Sequence, residues 1–368
     1  MDPRATRLAT ILIDHSLKVA AGDKVVLAAS DLTAMEILQE AYRLCVQRGA
    51  FVELDIMGLQ LSRGRCDAGK FVRLFLEHAN DEQLVCVSEM SKAKIAWGNK
   101  FLFIVSVHDD LFLSGIDNAR LGKWQAANFV LLEGLMDQRW VLTQFPTAAM
   151  AKNAGMTLDQ CIDFYYDACL IDYAEEAKRL QRLQDVLDEG KRVRVQGPRT
   201  DLTLGIDGRL AAGTNLGNRN VPDGECFVGP QEDVTEGEIF YELPQVRDGN
   251  VVSGIHLKFE KGVITDFSAE EGEEFLRTVL NAHPGNRRFG ELGIGMNRAV
   301  TQYMKATLFD EKIAGTVHMA LGRSYNEERG GGKNTGSIHW DLVKDLRFPG
   351  TIVTVDDRAI IKDGNLLV

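Results

Sequence analysis

Between Glu291 and Asp341 the chain collects Glu291, Asp310, Glu311, His318, Tyr325, His339 and Asp341, a mixture of carboxylate, imidazole and phenol. Hard and borderline divalent cations favour such oxygen and imidazole donors. His339 and Asp341 stand two apart in the phrase IHWDL. On a β-strand that spacing turns both side chains to one face, within reach of a single ion, and turns Trp340 into packing on the other. Gly290, Gly293, Gly295, Gly315 and Gly322 flank the candidates, a density that permits tight turns and close backbone approach. Leu292, Ile294, Ile313, Val317, Met319 and Leu321 are interleaved with them and point to a buried segment. Buried carboxylates need partners, and a metal ion supplies them. On spacing alone, a surface carboxylate and an internally satisfied histidine are the competing interpretation.

The elements that must hold these side chains read as two domains, as a length of 368 residues suggests. In residues 1–150, GDKVVLAAS from Gly22 is an apolar, β-rich run, 33–48 has a helical pattern stopped by Gly49, and AFVELDIM is a second strand. This is a βαβ unit, whose strands are parallel and whose crossover is right-handed. Helical patterns at 68–79, 81–96 and 118–137 and the strands FLFIVSVHDD and WVLTQFP complete an α/β domain with an open, largely parallel sheet. The turn after the first strand (Ala28, Ala29, Ser30, Asp31, Leu32) lacks the glycine fingerprint of a dinucleotide site. His108, Asp109 and Asp110 read as a polar strand end. Residues 151–190 form a helical connector, with a charged helix from 157 to 189 docked through Leu180, Leu183, Val186 and Leu187. From 191 to 368, alternating apolar and polar residues broken by DG, KG and GN turns describe a mainly antiparallel β (α+β) C-terminal domain with one helix at 271–281, and this domain carries the candidate metal-ligating residues.

Composition narrows the function classes. Hydrophobic residues make up 45% and charged residues 26% of the chain, as in folded soluble proteins. A formal charge of −11 without a basic run argues against a nucleic-acid partner. No stretch approaches the roughly 20 apolar residues of a membrane span. The first residues place Leu8, Ile11, Leu12 and His15 at helical spacing with Thr6 positioned to cap, and lack a signal peptide's apolar core, so residue 1 reads as the start of a domain. Cys45, Cys66, Cys86, Cys161, Cys169 and Cys226 show no paired spacing, which fits reduced thiols in the cytoplasm. GGGKN at 330–334 fails as a phosphate loop because Asn334 follows Lys333 where Ser or Thr is needed. It reads as a mobile loop from which Lys333, or Arg323 nearby, reaches a substrate carbonyl. The absence of HExxH excludes the single-zinc peptidase arrangement.

Four phrases, NVPDGE ending at Glu225, GELGIGMN, LFDEKIAGTVHMALGRSY and IHWDL, resemble the M29 metallo-aminopeptidases, also called the aminopeptidase T or thermophilic aminopeptidase family. Weaker similarity runs from GDKVVL to the terminal KDGNLLV. The resemblance implies release of N-terminal amino acids from peptides with a free N-terminus, by water activated between two divalent metal ions (Zn, Co or Mn). It implies the metal ligands Glu225, Glu291, Glu311, His318, His339 and Asp341, with Glu291 as the bridge, Tyr325 as the catalytic phenol, and a homodimer. Glu311 lies two residues farther from His318 than the family's spacing implies. Two other readings stand beside it. His318, His339 and Asp341 alone make the 2-His-1-carboxylate set of a mononuclear non-haem iron dioxygenase, and a dioxygenase acting on a pyridine ring is distantly similar to this fold. The other is a non-catalytic relative that keeps the fold without turnover.

Overall fold

The computed structural model of the protein describes residues 2–56, 69–109 and 111–368; Cys66, Asp110 and residue 68, at the start of an expected helix, lie outside the described residues. The chain divides into two compact units, Met1–Leu170 with Gly217–Pro222, and Ile171–Leu216 with Asp223–Val368.

In the first unit, strand Lys24–Ala29 is buried from its second residue onward. It lies between Phe51–Ile56 and Lys100–Ser106, and the sheet continues through Arg139–Phe145 to Asn220–Val221, every pair parallel. A parallel sheet needs cover on its faces. Here Val26, Ala28, Phe101 and Phe103 pack with Leu135 of helix Asn118–Met136. The two-residue strand Asn220–Val221 comes from the NVPDGE phrase and pairs with Leu142 and Thr143.

Polar caps break the expected helices into shorter ones. The first helix, Pro3–Thr10, is capped by Asp2, whose carboxylate accepts from the Arg4 N–H at 2.8 Å. Thr6 lies inside that helix, so its expected capping role is not observed; Asp followed by Pro at the first helical position is the stronger start. The pattern at 81–96 is two helices, Asp81–Val85 and Glu89–Trp97, because Ser88 caps the second. The pattern at 157–189 is likewise divided into Leu158–Cys169 and Tyr173–Glu189, where Asp172 accepts from the N–H groups of Ala174 and Glu175. The boundary between the units falls in that break, at Leu170 and Ile171. No helix among the described residues is long and apolar enough to cross a membrane.

The second unit is antiparallel. Eight strands run in the order Val263–Ser268, Ile255–Glu260, Glu236–Tyr241, Thr200–Gly205, Arg192–Gly197, Ile352–Val355, Arg358–Lys362 and Asn365–Leu366. Four others, His339–Asp345, Thr316–Gly322, Phe289–Gly295 and Glu225–Val228, form a separate sheet in that order. Contacts between the sheets include the Phe259 and Phe289 rings, stacked with centroids 4.5 Å apart, and the Tyr241 hydroxyl, which donates to Met319 Sδ at 3.4 Å. Leu292, Ile294, Val317, Leu321, Trp340 and Leu342 are buried on the Met319 face of the smaller sheet. Removing this apolar surface from water is what holds the smaller sheet in place.

Candidate metal centre

Side chains alternate across a strand, so the opposite face of the same four strands collects the polar residues. Glu291 and Asp341 both lie opposite Ala320, His318 opposite Gly293, His339 opposite Gly322 and Glu225 opposite Gly295. Every one of the five therefore has a glycine or alanine as a cross-strand neighbour. The small residues are required by space. A Cβ on Gly293 would lie 2.1 Å from both Cε1 and Nε2 of His318, and one on Gly295 would lie 2.2 Å from the Ile313 carbonyl oxygen. Gly293 thus makes room for an imidazole, and Gly295 lets the 311–313 segment cross the sheet. Gly293→Ala is expected to push the His318 ring aside and to lower metal affinity by on the order of 10-fold or more, a loss typical of disturbed ligand support; competition against a fluorescent chelator checks it.

The donor atoms converge on Glu291. His318 Nε2 is 3.1 Å from Glu291 Oε1 and 3.2 Å from Glu225 Oε2. His339 Nε2 is 3.3 Å from Asp341 Oδ1 and 3.9 Å from Glu291 Oε2. Two groups result, Glu225 with Glu291 and His318, and Glu291 with His339 and Asp341, each with its donor atoms within 4.8 Å of one another. His339 Nδ1 lies 2.7 Å from the Arg323 carbonyl oxygen, to which it donates; that bond selects the tautomer and leaves Nε2 free to bind a cation.

The residues fit a divalent ion. Among the described residues Glu291 Oε2 is a buried oxygen without a hydrogen-bond partner, and Glu225 Oε2 and Asp341 Oδ1 meet only the histidine nitrogens, at 3.2 and 3.3 Å, an arrangement of buried carboxylates that a cation would satisfy. The protonation equilibria carry the same sign. Burial raises the Glu225 carboxyl to about 8, with Lys312 opposing and the Glu311 charge adding. Burial works against charged His318, but the Glu291 hydrogen bond and the Glu225 charge over-ride it and raise the ring to about 9. Asp341 likewise over-rides burial at His339 and raises it to about 10. A cluster this rich in negative charge draws in positive charge.

Glu311 is buried but joins neither donor group among the described residues. Its Oε1 instead accepts from Lys312 Nζ at 2.7 Å, and the same ammonium bonds Glu225 Oε1. Lys312 has no exposed surface, and nothing in the sequence reading singled it out, although a lysine between Glu311 and the apolar Ile313 and Ala314 was a visible signal. Asp310 stands apart from the cluster: its carboxylate accepts from the N–H groups of Met304 and Ala306 at 2.6 and 2.7 Å and pins the turn before helix Thr307–Asp310.

Tyr325 lies at the rim, 37% exposed, with its ring centroid 4.9 Å from that of His339 and 6.1 Å from that of Phe227. Partial burial, and then the charges of Glu291 and Asp341, push its phenol well above the ordinary value, so it offers a proton. The glycine run at 330–334 is packed, contrary to the mobile loop expected. Asn334 Nδ2 donates to the Gly285 and Gly322 carbonyls at 2.8 and 2.6 Å, and the Lys333 N–H donates to Glu232 Oε1 at 2.6 Å. A Cβ on Gly331 would lie 2.0 Å from the Glu327 carbonyl oxygen. The glycines serve close backbone approach there.

Known proteins share this arrangement of sequence and fold. Aminopeptidase 2 of Geobacillus stearothermophilus is 29% identical over 319 residues, 73% of this chain and 76% of its own length. Aminopeptidase T of Thermus aquaticus is 33% identical over 195 residues, 46% of this chain and 45% of its own. Among solved structures, wild-type AmpT from Thermus thermophilus matches with a TM-score of 0.82 at 23% identity, covering 100% of this chain and 99% of that one. The 2,5-dihydroxypyridine dioxygenase of Pseudomonas putida KT2440 matches with a TM-score of 0.61 at 15% identity, covering 100% and 98%. At those identities both structural likenesses are of fold. The sequence profile of the thermophilic metalloproteases, peptidase family M29, matches residues 1–366, and the chain belongs to that family.

Proposed function

We propose that this metallo-aminopeptidase of the M29 family releases N-terminal residues from peptides with a free amino group, with Glu291, His318, His339 and Asp341 as the principal metal ligands. The observation that carries the reading is the convergence of two buried donor groups on Glu291, whose Oε2 has no hydrogen-bond partner among the described residues. A divalent ion held by these residues would supply an acidified water and polarise the scissile carbonyl. Glu291 contributes fixed negative charge between the two imidazoles. His339 is held in orientation by the Arg323 carbonyl. Tyr325, with its proton retained, donates a hydrogen bond to the oxyanion as it forms. The second ion implied by the resemblance would draw on Glu225 and Glu311, each of which gives its Oε1 to Lys312, while Glu225 Oε2 stays beside His318 in the donor group with Glu291.

Ring-cleaving iron chemistry is the weaker reading, because His318 and His339 fall in different donor groups, each dominated by carboxylate. The proposal places the enzyme in a reducing cytoplasm, as a homodimer; Cys45, Cys86, Cys161, Cys169 and Cys226 all stand as thiols. Exhaustive chelation is expected to abolish release of the first residue from a leucyl peptide, and added Zn, Co or Mn to restore it. The N-acetylated twin of the same peptide is expected to resist cleavage. Full turnover by metal-free protein, or equal rates on the two peptides, contradicts the reading.

A further inference from the structure

On the polar face of the smaller sheet stands one apolar ring that neither the metal centre nor the core accounts for. Strand Glu225–Val228 alternates, with Glu225 and Phe227 half-buried and Cys226 and Val228 buried. Phe227 lies opposite Gly293, whose other cross-strand neighbour is His318. Side chains opposite one another share a face, so Phe227 and His318 stand in one row with only a glycine between them. Among the described residues of the four strands, Glu225, Phe227 and His339 are the ones left half-buried on this face. They mark where it opens. Ala320 and Val343 belong to the same face and are at most 1% exposed, as Phe227 would be if it served only as filling. The ring is also held. A Cβ on Gly330 would lie 2.2 Å from Cε2 of Phe227, so one ring edge rests on the Gly330 backbone, and the Gly330 N–H donates to the Leu210 carbonyl at 2.7 Å. Tyr325 meets the ring edge-on, with the planes 61° apart and the centroids 6.1 Å apart, and its carbonyl accepts from the Gly332 N–H at 3.0 Å. The glycine run that fixes Tyr325 therefore backs Phe227 as well.

Resting on the aminopeptidase reading, the geometry points to Phe227 as a specificity-determining residue: its ring, edged by Tyr325, is the wall against which the side chain of a peptide's first residue packs, so that large apolar first residues are preferred. Two anchors fix where that side chain falls. Tyr325 meets the oxygen of the scissile carbonyl, and Glu225, the half-buried one among the candidate carboxylates, stands on the side to which a free amino group is drawn. The α-carbon of the first residue is bonded to both the amino nitrogen and the carbonyl carbon, so its side chain leaves from between the anchors. Phe227 occupies that interval, two residues along the strand from Glu225 and ring to ring with Tyr325. A leucyl or phenylalanyl side chain spans the distance and removes apolar surface from water on both partners. An alanyl methyl falls short of the ring and gains little.

The test compares ratios rather than absolute rates. kcat/KM is measured on leucyl, phenylalanyl and alanyl p-nitroanilides for wild-type protein, Phe227→Ala and Phe227→Leu, each checked for folding by circular dichroism and for metal content. The wild type is expected to favour leucyl over alanyl by about 10-fold or more, the scale on which an apolar pocket discriminates a methylene. Phe227→Ala, with its metal kept, is expected to lower that ratio about 10-fold, and Phe227→Leu, a smaller apolar wall, to give a ratio between the two. A wild type that takes leucyl and alanyl substrates equally overturns the inference and leaves the aminopeptidase reading intact. So does a Phe227→Ala whose rates fall by one common factor on all three substrates, or do not fall, since the ring would then be packing alone. If Phe227→Ala fails to fold or loses metal, Phe227→Leu decides by the same criterion: an unchanged ratio overturns the inference and a lowered one supports it. Absence of metal-dependent cleavage of any of the three substrates brings down the aminopeptidase reading and this inference together.

Discussion

Glu291→Gln is expected to lose both bound metal and peptidase activity. Glu291 is the one residue common to both donor groups and is 4% exposed. Its Oε1 lies 3.1 Å from His318 Nε2, and its Oε2 faces His339 Nε2 at 3.9 Å. Glutamine keeps the volume, so the Phe289–Gly295 strand and its register should survive. It removes the negative charge and puts an NH₂ donor where one oxygen was, facing groups that themselves carry protons or metal. Disturbing an outer-shell partner typically costs about 10- to 100-fold in metal affinity or activity; loss of the ligand proposed at the centre of both donor groups should exceed that. Metal content after dialysis, read beside kcat/KM on a leucyl substrate, checks it. A folded variant with wild-type metal content removes Glu291 from the centre.

Tyr325→Phe separates catalysis from metal binding. The variant keeps the ring that packs 4.9 Å from His339 and deletes one hydroxyl. If that hydroxyl meets the oxyanion only as charge develops, kcat falls on the order of 10²-fold or more while KM changes little. The metal count should stay at the wild-type value. A kcat within about a factor of three of wild type, with metal verified, would leave Tyr325 as a rim aromatic and nothing more.

Part of this centre was legible because β-structure writes itself into sequence at period two. His339 and Asp341 flanking Trp340, and glycines alternating with Leu292 and Ile294, mark both faces of the sheet in the sequence itself. The central parallel strands were legible for a different reason, as short continuous apolar runs between turns. Other features depend on partners far away in the chain. Lys312, set between Glu311 and the apolar Ile313 and Ala314, has no visible partner until the strand bearing Glu225 is brought beside it. Asp310 reads as a donor until its two backbone partners appear, and Gly331 reads as loop freedom until the Glu327 carbonyl is found against it. Asn220–Val221 carries too few residues to show a period at all. The helix breaks at Ser88 and Asp172 were written in the sequence, but caps compete with an apolar pattern that runs straight across them.

The two-faced strands have a consequence for how the molecule is assembled. The donors are scattered from Glu225 to Asp341, and they coincide only when four strands have zipped in one alignment. A slip by a single residue exchanges the faces, so Leu292 or Val317 would stand where Glu291 or His318 belongs. A mis-zipped chain therefore has no cage to offer, and an ion that binds only the finished sheet pulls the population toward it by mass action. On the proposed reading, an ion that served chemistry in the mature enzyme would also act as a proofreader of folding, rewarding correct alignment and ignoring the rest.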